Sequence, residues 1–153
     1  MNESLKIEFG SGGRQMEGWL CTEIDECDIR HPLKWESQSV DECFTSHCPE
    51  HVSSAECMRF FKEVYRILKP GGKFRVIVPA IDLHMTRAHI QDLCEGHGHL
   101  QMFSFDSLRA MLFGAGFEIY NIRQTGRKPV DNHHVVFGEE KDYVESLRVE
   151  AVK

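Results

Sequence analysis

Glu8-Phe9-Gly10-Ser11-Gly12 is the first stretch whose residue types can do chemistry. Two glycines directly after a short apolar–polar alternation let the backbone approach a ligand and aim its N–H groups at it. The same pair also suits an ordinary strand-to-loop turn, and the glycines alone do not separate the two. A dinucleotide fingerprint needs a third glycine where Gln15 stands, and no Gly-x4-Gly-Lys-Ser/Thr phosphate loop occurs. Glu23 and Asp25 follow at the end of the next apolar run. A carboxylate there can accept both hydroxyls of a ribose and repel a 2′-phosphate, or it can belong to a solvated acidic turn. The third cluster is Val40-Asp41-Glu42-Cys43-Phe44-Thr45-Ser46-His47, running on to Glu50-His51. A lone histidine more often fills a satisfied structural role, and two of them four apart where a strand ends shift the balance only slightly toward function. Gly96-His97-Gly98-His99 reads as a loop or as a metal pair lacking its other ligands.

These residues need elements to hold them. Leu5 to Phe9 reads as a strand broken by glycines, Trp19 to Ile24 as a second, Asp28-Ile29 as the start of a third stopped by Pro32, and Val40 to Thr45 as a fourth. Met58, Phe61, Val64, Tyr65 and Leu68 then recur at helical steps, which predicts an amphipathic helix from Ser53 to Leu68. Ser53 or Ser54 caps it, and Pro70-Gly71-Gly72 stops it. Phe74 to Val78 is a strand, and Ile81 to Leu100 is part helix and part loop. Phe105 to Phe113 is a helix ended by Gly114-Ala115-Gly116, and Phe117 to Ile122 is a strand. Asn132 to Phe137 reads as a last strand and Lys141 to Lys153 as a charged tail with helical character. Strands alternating with helices imply a mainly parallel sheet covered on both faces, with ligands beyond the carboxyl ends of its strands.

The chain of 153 residues has room for one domain, with a core of about 5–138 and a tail of 139–153. No apolar run approaches the ~18 residues of a membrane span, and Met1-Asn2-Glu3-Ser4 lacks the character of a secretion signal. A cytoplasmic protein is expected. With 18 basic against 24 acidic residues, the net charge of −6 argues against a partner bound mainly through phosphates, so nucleic acid is disfavoured. The cysteines (six in all) contain no Cys-x2-Cys pair, and Cys43-x4-Cys48 has no matching second pair. Most of them read as small buried hydrophobes, and no metal is expected.

Glu8-x-Gly10-x-Gly12, Glu23 after the next strand, Ser39-Val40-Asp41, Ser46-His47-x-x-Glu50-His51, Leu68-Lys69-Pro70-Gly71-Gly72 and Ala115-Gly116-Phe117 occur in this order. Together they resemble the class I S-adenosylmethionine-dependent methyltransferases from about Leu5 to Phe137. The resemblance implies an α/β fold: a three-layer Rossmann-like methyltransferase sheet, mainly parallel with an antiparallel last strand, here with minimal helices. It implies S-adenosyl-L-methionine as cofactor. By position, Phe9, Gly10, Ser11 and Gly12 would pass under the methionine and ribose, Glu23 would hold the ribose hydroxyls, and Ile24 beside it would belong to the cofactor site. Asp28 and Ile29 would face the adenine, and Ser46 and His47 would line the space between donor and acceptor. The sequence departs from the family in the short span between its first two strands, about ten residues, which leaves little room for the usual helix. The donor's carboxylate is then held differently, with Arg14 or a partner subunit as candidates.

Methyl transfer from a sulfonium rests largely on holding donor and acceptor aligned, with a base needed where the acceptor must lose a proton. His47, Asp82 and His99 are the candidate bases, with His97 beside the last. A small-molecule acceptor is the first expectation, and a protein acceptor the second. A catalytically silent member that serves as a partner subunit, or a homodimer, is the third. A nicotinamide oxidoreductase comes last, because the third fingerprint glycine is absent. No membrane association is expected.

Overall fold

The computed structural model describes residues 4–80, 87–125 and 146–153. Six strands form one sheet in the order β2-β1-β3-β4-β6-β5. They are β1 Lys6–Phe9, β2 Leu20–Thr22, β3 Val40–Ser46, β4 Leu68–Pro79, β5 Glu118–Thr125 and β6 Ser146–Val152. The first four run parallel to one another. β6 lies antiparallel to both β4 and β5. The result is a Rossmann-like mixed α/β sheet with few helices, as expected.

α1 spans Ser54–Ile67, and Ser53 caps it in a reciprocal box with Glu56. That box satisfies two backbone donors that a helix start otherwise leaves orphaned. Its apolar stripe, Cys57, Phe60, Phe61, Val64 and Ile67, is buried. The strip packs over Ile7, Phe9, Cys43, Phe74 and Val76, the residues on one face of the central strands. α3, Phe105–Ala115, stands beside α1, capped by Ser104 and closed by left-handed Gly116. α2 spans Arg87–Gly96.

The opposite face of the sheet has a different character. A small apolar cluster of Phe44 and Ile77, with Met16 and Trp19, sits there among charges. Glu42 lies 3.1 Å from Lys6 and 3.4 Å from Arg75, and Arg75 lies 3.9 Å from Glu150. The cause is visible in the chain: residues 10–19 form turns instead of a crossover helix. The described residues thus put α1 and α3 on the first face and an ion-pair lattice on the second.

Two further expectations are corrected. Asp28-Ile29 starts no strand; it lies in turns, with Asp28 accepting from the backbone N–H of Arg30 at 2.9 Å. Residues 146–152 are neither tail nor helix. They form β6, inserted between β4 and β5, where Leu147, Val149 and Ala151 are fully buried. The alternation Leu-Arg-Val-Glu-Ala-Val carries a period of two, which a count of charges conceals. The expected strand at Asn132 to Phe137 lies outside the described residues.

Candidate functional site

A cleft of about 270 Å³ opens beyond the carboxyl ends of β1, β2 and β3. That is the edge at which open α/β sheets take their ligands, and its size is near the lower end of the ~300–1,000 Å³ usual for small-ligand clefts. Gly10, Gly12, Glu23, Ile24, Asp28, Ile29 and His47 line it, all of them candidates read from the sequence.

The glycine loop serves the cleft through what it lacks. Gly10 and Gly12 have φ of +66° and +63°, a region that disfavours side chains. The loop's N–H groups, expected to face a ligand, are largely committed inside the protein. Gly10 and Ser11 both donate to the Thr22 carbonyl, at 3.0 and 3.1 Å, tying the loop to the end of β2.

Glu23 holds the loop's other side. The Ser11 hydroxyl and the Gly13 N–H, the latter at 2.8 Å, both donate to its Oε1. These bonds, Ser11 first, lower the carboxyl's pKa, so it stays ionised in neutral solution. A carboxylate offers about four acceptor positions. Ser11 and Gly13 on Oε1, with the Gly12 N–H also helping to lower the pKa, still leave acceptor capacity for a ligand.

Asp28 is engaged as well. Both of its oxygens accept from the Arg30 side chain at 2.7–3.0 Å, which holds its carboxyl down at about 2. Ile29 contributes an apolar wall. Three of the expected cofactor contacts do not line the cleft. Phe9 is in the core, edge-on to Trp35 and Phe60, Ser46 is buried on β3, and Ser11 is buried against Glu23.

His47 sits just past β3 with φ +50°, uncommon for a residue with a side chain. The conformation is fixed by its own N–H, which donates to the Ile77 carbonyl at 2.9 Å. Its Nδ1 is 3.4 Å from Glu50 Oε1, and its Nε2 is 3.5 Å from the Ser146 hydroxyl. His99 does not line the cleft. Its ring meets His51 edge-on at 4.9 Å, and burial lowers its pKa. Asp82 lies outside the described residues. Arg14, a candidate for the donor's carboxylate, instead places Nη2 2.7 Å from Oε1 of fully buried Glu8.

The cleft also gathers residues that had no assigned role: Cys27, Arg30, Cys48, His51 and Val52. His51 and Cys48 stand within the Ser46-to-His51 motif, and Cys27 and Arg30 flank Asp28, so proximity in sequence was the available signal. Cys48 is an inert wall. Burial pushes its thiol up to about 12, far from the thiolate that a nucleophile requires.

The sheet, mainly parallel with one antiparallel strand, is a Rossmann-like α/β arrangement, and its cleft beyond the first strands is bounded by glycines and an acidic strand end. Residues 9–76, from the end of β1 into β4, match the methyltransferase domain family. No curated protein matches the chain in sequence. Solved structures share the fold. An S-adenosylmethionine-dependent methyltransferase from Mesorhizobium loti is 15% identical, with 99% of this chain and 91% of that chain covered at a TM-score of 0.65. The 1,6-didemethyltoxoflavin-N1-methyltransferase of Burkholderia thailandensis is 14% identical, with 99% and 72% covered and a TM-score of 0.66. A Haloferax volcanii complex of the Trm112 methyltransferase activator with a candidate methyltransferase gives 14%, 98%, 82% and 0.69. The family match, over fewer than half of the residues, and the shared fold make the chain similar to class I methyltransferases, whose cofactor is S-adenosylmethionine.

The residues present fit that cofactor. The cleft floor is bare backbone at Gly10 and Gly12, an ionised carboxylate stands at the end of β2, and Ile24, Ile29 and Val52 supply apolar wall. Among the described residues, no helix is long and apolar enough to cross a membrane.

Proposed function

We propose that this domain methylates a small-molecule acceptor, with the donor in the cleft beyond β1–β3 and the acceptor entering from the side of His47 and His51. The observation that carries the reading is the position of Glu23, clamped by the glycine loop and lining the same cleft as Gly10 and Gly12. Bound there, the donor supplies an electrophilic sulfonium methyl. The protein's part is alignment and the exclusion of water. Glu23 receives the ribose hydroxyls, the two glycines let the donor lie on the backbone, and Ile24 and Ile29 with Asp28 frame the base. His47, on the wall beyond β3, faces the acceptor and takes its proton where one must leave. The Burkholderia relative, whose structure contains 1,6-didemethyltoxoflavin and S-adenosylhomocysteine, supports an acceptor of this size.

A second reading has its own support. The second sheet face carries charges and a small apolar cluster instead of helices in the described residues, and a structural relative occurs in complex with an activator protein. A protein partner, or a second copy of the chain, would then complete the acceptor side. The free thiols, six in number, suit a reducing compartment and support a cytoplasmic location.

Calorimetric titration of one preparation with S-adenosylmethionine, S-adenosylhomocysteine and NAD tests the donor site. Micromolar binding of both adenosyl ligands without NAD is the expected result. Silence toward the adenosyl ligands, or equal binding of NAD, would overturn it.

A further inference from the structure

Beside the cleft, two histidine motifs far apart in the chain meet. The turn Pro49–His51 follows β3, and Gly96-His97-Gly98-His99 follows α2. Leu100 and Gln101 donate their N–H groups to the Glu50 carbonyl at 2.8 and 3.3 Å. The Gln101 amide donates to the Pro49 and Val52 carbonyls, both at 2.9 Å. These bonds hold the second motif against the first. As a result, one ligand-capable atom each from Glu50, His51 and His99 lies within 4.8 Å of the others.

The Glu50 carboxylate is the exceptional member. It is 0% exposed, and among the described residues neither oxygen has a hydrogen-bond partner. His47 Nδ1 at 3.4 Å and His51 Nε2 at 3.9 Å are its nearest cationic candidates, and neither makes a hydrogen bond to it. A buried carboxylate without donors is costly, and the usual remedies are a paired charge or a metal. His99 Nδ1 is likewise buried without a partner among the described residues.

We propose that Glu50, His51 and His99 bind one divalent first-row transition ion, with zinc as the reference case. Two imidazoles and one carboxylate form a nitrogen-rich set that suits zinc and its neighbours, whereas magnesium and calcium prefer oxygen alone. Ligand atoms in a tetrahedral zinc site stand about 3.4 Å apart at bonds of about 2.1 Å. The set therefore closes by a small rotation of the exposed His51 ring and the loop that bears His99. Supporting groups are in place. His51 Nδ1 faces the Gly98 carbonyl at 3.4 Å, leaving Nε2 toward Glu50, and His47 stands against the carboxylate. Such outer partners fix the tautomer and orientation of metal ligands.

Three protein ligands leave a coordination position open, as in catalytic zinc sites. Because His51 also lines the cleft, an acceptor bearing an oxygen, nitrogen or sulfur lone pair can occupy that position beside the donor. This last step rests on the methyltransferase reading of the cleft, and the ion site itself does not.

The metal-stripped full chain is titrated with zinc chloride by calorimetry, with magnesium chloride in parallel. One zinc per chain at micromolar or tighter affinity, without magnesium, is expected. His99→Ala and Glu50→Gln each weaken zinc binding by at least about 100-fold, while His97→Ala, outside the set, leaves it intact. His51→Ala replaces a partly exposed ring and keeps the test decisive if Glu50→Gln fails to fold. S-adenosylhomocysteine binding, measured on every variant, reports the donor cleft separately. No zinc on the native chain, or undiminished zinc on His99→Ala and His51→Ala, overturns the proposal and leaves a metal-free histidine–carboxylate cluster. Zinc bound without S-adenosylhomocysteine refutes the donor reading alone.

Discussion

A Cβ atom added to Gly10 would stand 2.6 Å from the sulfur of Cys48 and 2.9 Å from its Cβ. The first turn after β1 and the turn after β3 therefore touch at the cleft floor, and only hydrogen fits between them. At Gly12 the same added atom would meet nothing within 4 Å, although both glycines have positive φ.

This difference separates two effects of the same substitution. Gly12→Ala meets backbone strain alone, about 1–2 kcal/mol. Gly10→Ala adds the clash with Cys48, which costs about 1–3 kcal/mol more. Gly10→Ala should therefore lower the melting temperature further, and Cys48→Ala should restore part of the loss by removing the sulfur. Thermal melts of Gly10→Ala, Gly12→Ala, Cys48→Ala and the Gly10→Ala/Cys48→Ala double variant decide it, and equal loss at Gly10 and Gly12 would show that the floor adapts.

Glu23→Ala should weaken S-adenosylhomocysteine binding by at least about tenfold, because it removes a charged acceptor and frees the loop that the acceptor holds. Ser11→Ala should cost less, since the carboxylate remains. The pH dependence has a definite sign. A carboxyl whose pKa is lowered remains ionised as pH falls through the ordinary carboxylate range, so affinity should hold from about pH 8 to pH 5 and decline only in stronger acid. The clamp's contribution to folding follows the same direction: it is present above the unfolded pKa and lost as pH falls through the folded one. Titration across that range checks both, and an affinity unmoved by Glu23→Ala would remove Glu23 from the pocket.

Arg14 is assigned to stability. Its substitution by Ala leaves the Glu8 carboxylate in β1 buried without its arginine, a loss of about 3–5 kcal/mol for such pairs. At about 2–4 °C per kcal/mol for a domain of this size, the melting temperature should fall by about 6 °C or more. If the melt is unmoved and S-adenosylhomocysteine affinity drops instead, Arg14 belongs to the donor site.

Local signals carried a large part of this structure. The periodic stripe of α1, the capping Ser53 and Ser104, the strand at Val40 and the left-handed Gly116 all act within a few residues, where propensity, capping and sterics decide. The order of short motifs, from Gly10 through Glu23 to Gly116, pointed to the methyltransferases. Tertiary packing decided the rest. β6 reads as a charged tail in isolation, and it becomes a core strand because β4 and β5 flank it and bury Leu147, Val149 and Ala151. The loop N–H groups expected to meet a ligand are taken by Thr22, a partner defined only by the parallel pairing of β1 with β2. The meeting of Glu50 and His51 with His99 depends on how Gln101 fastens one loop to another. No spacing in the chain encodes that distance, because it is set by packing between segments separated by α1 and β4.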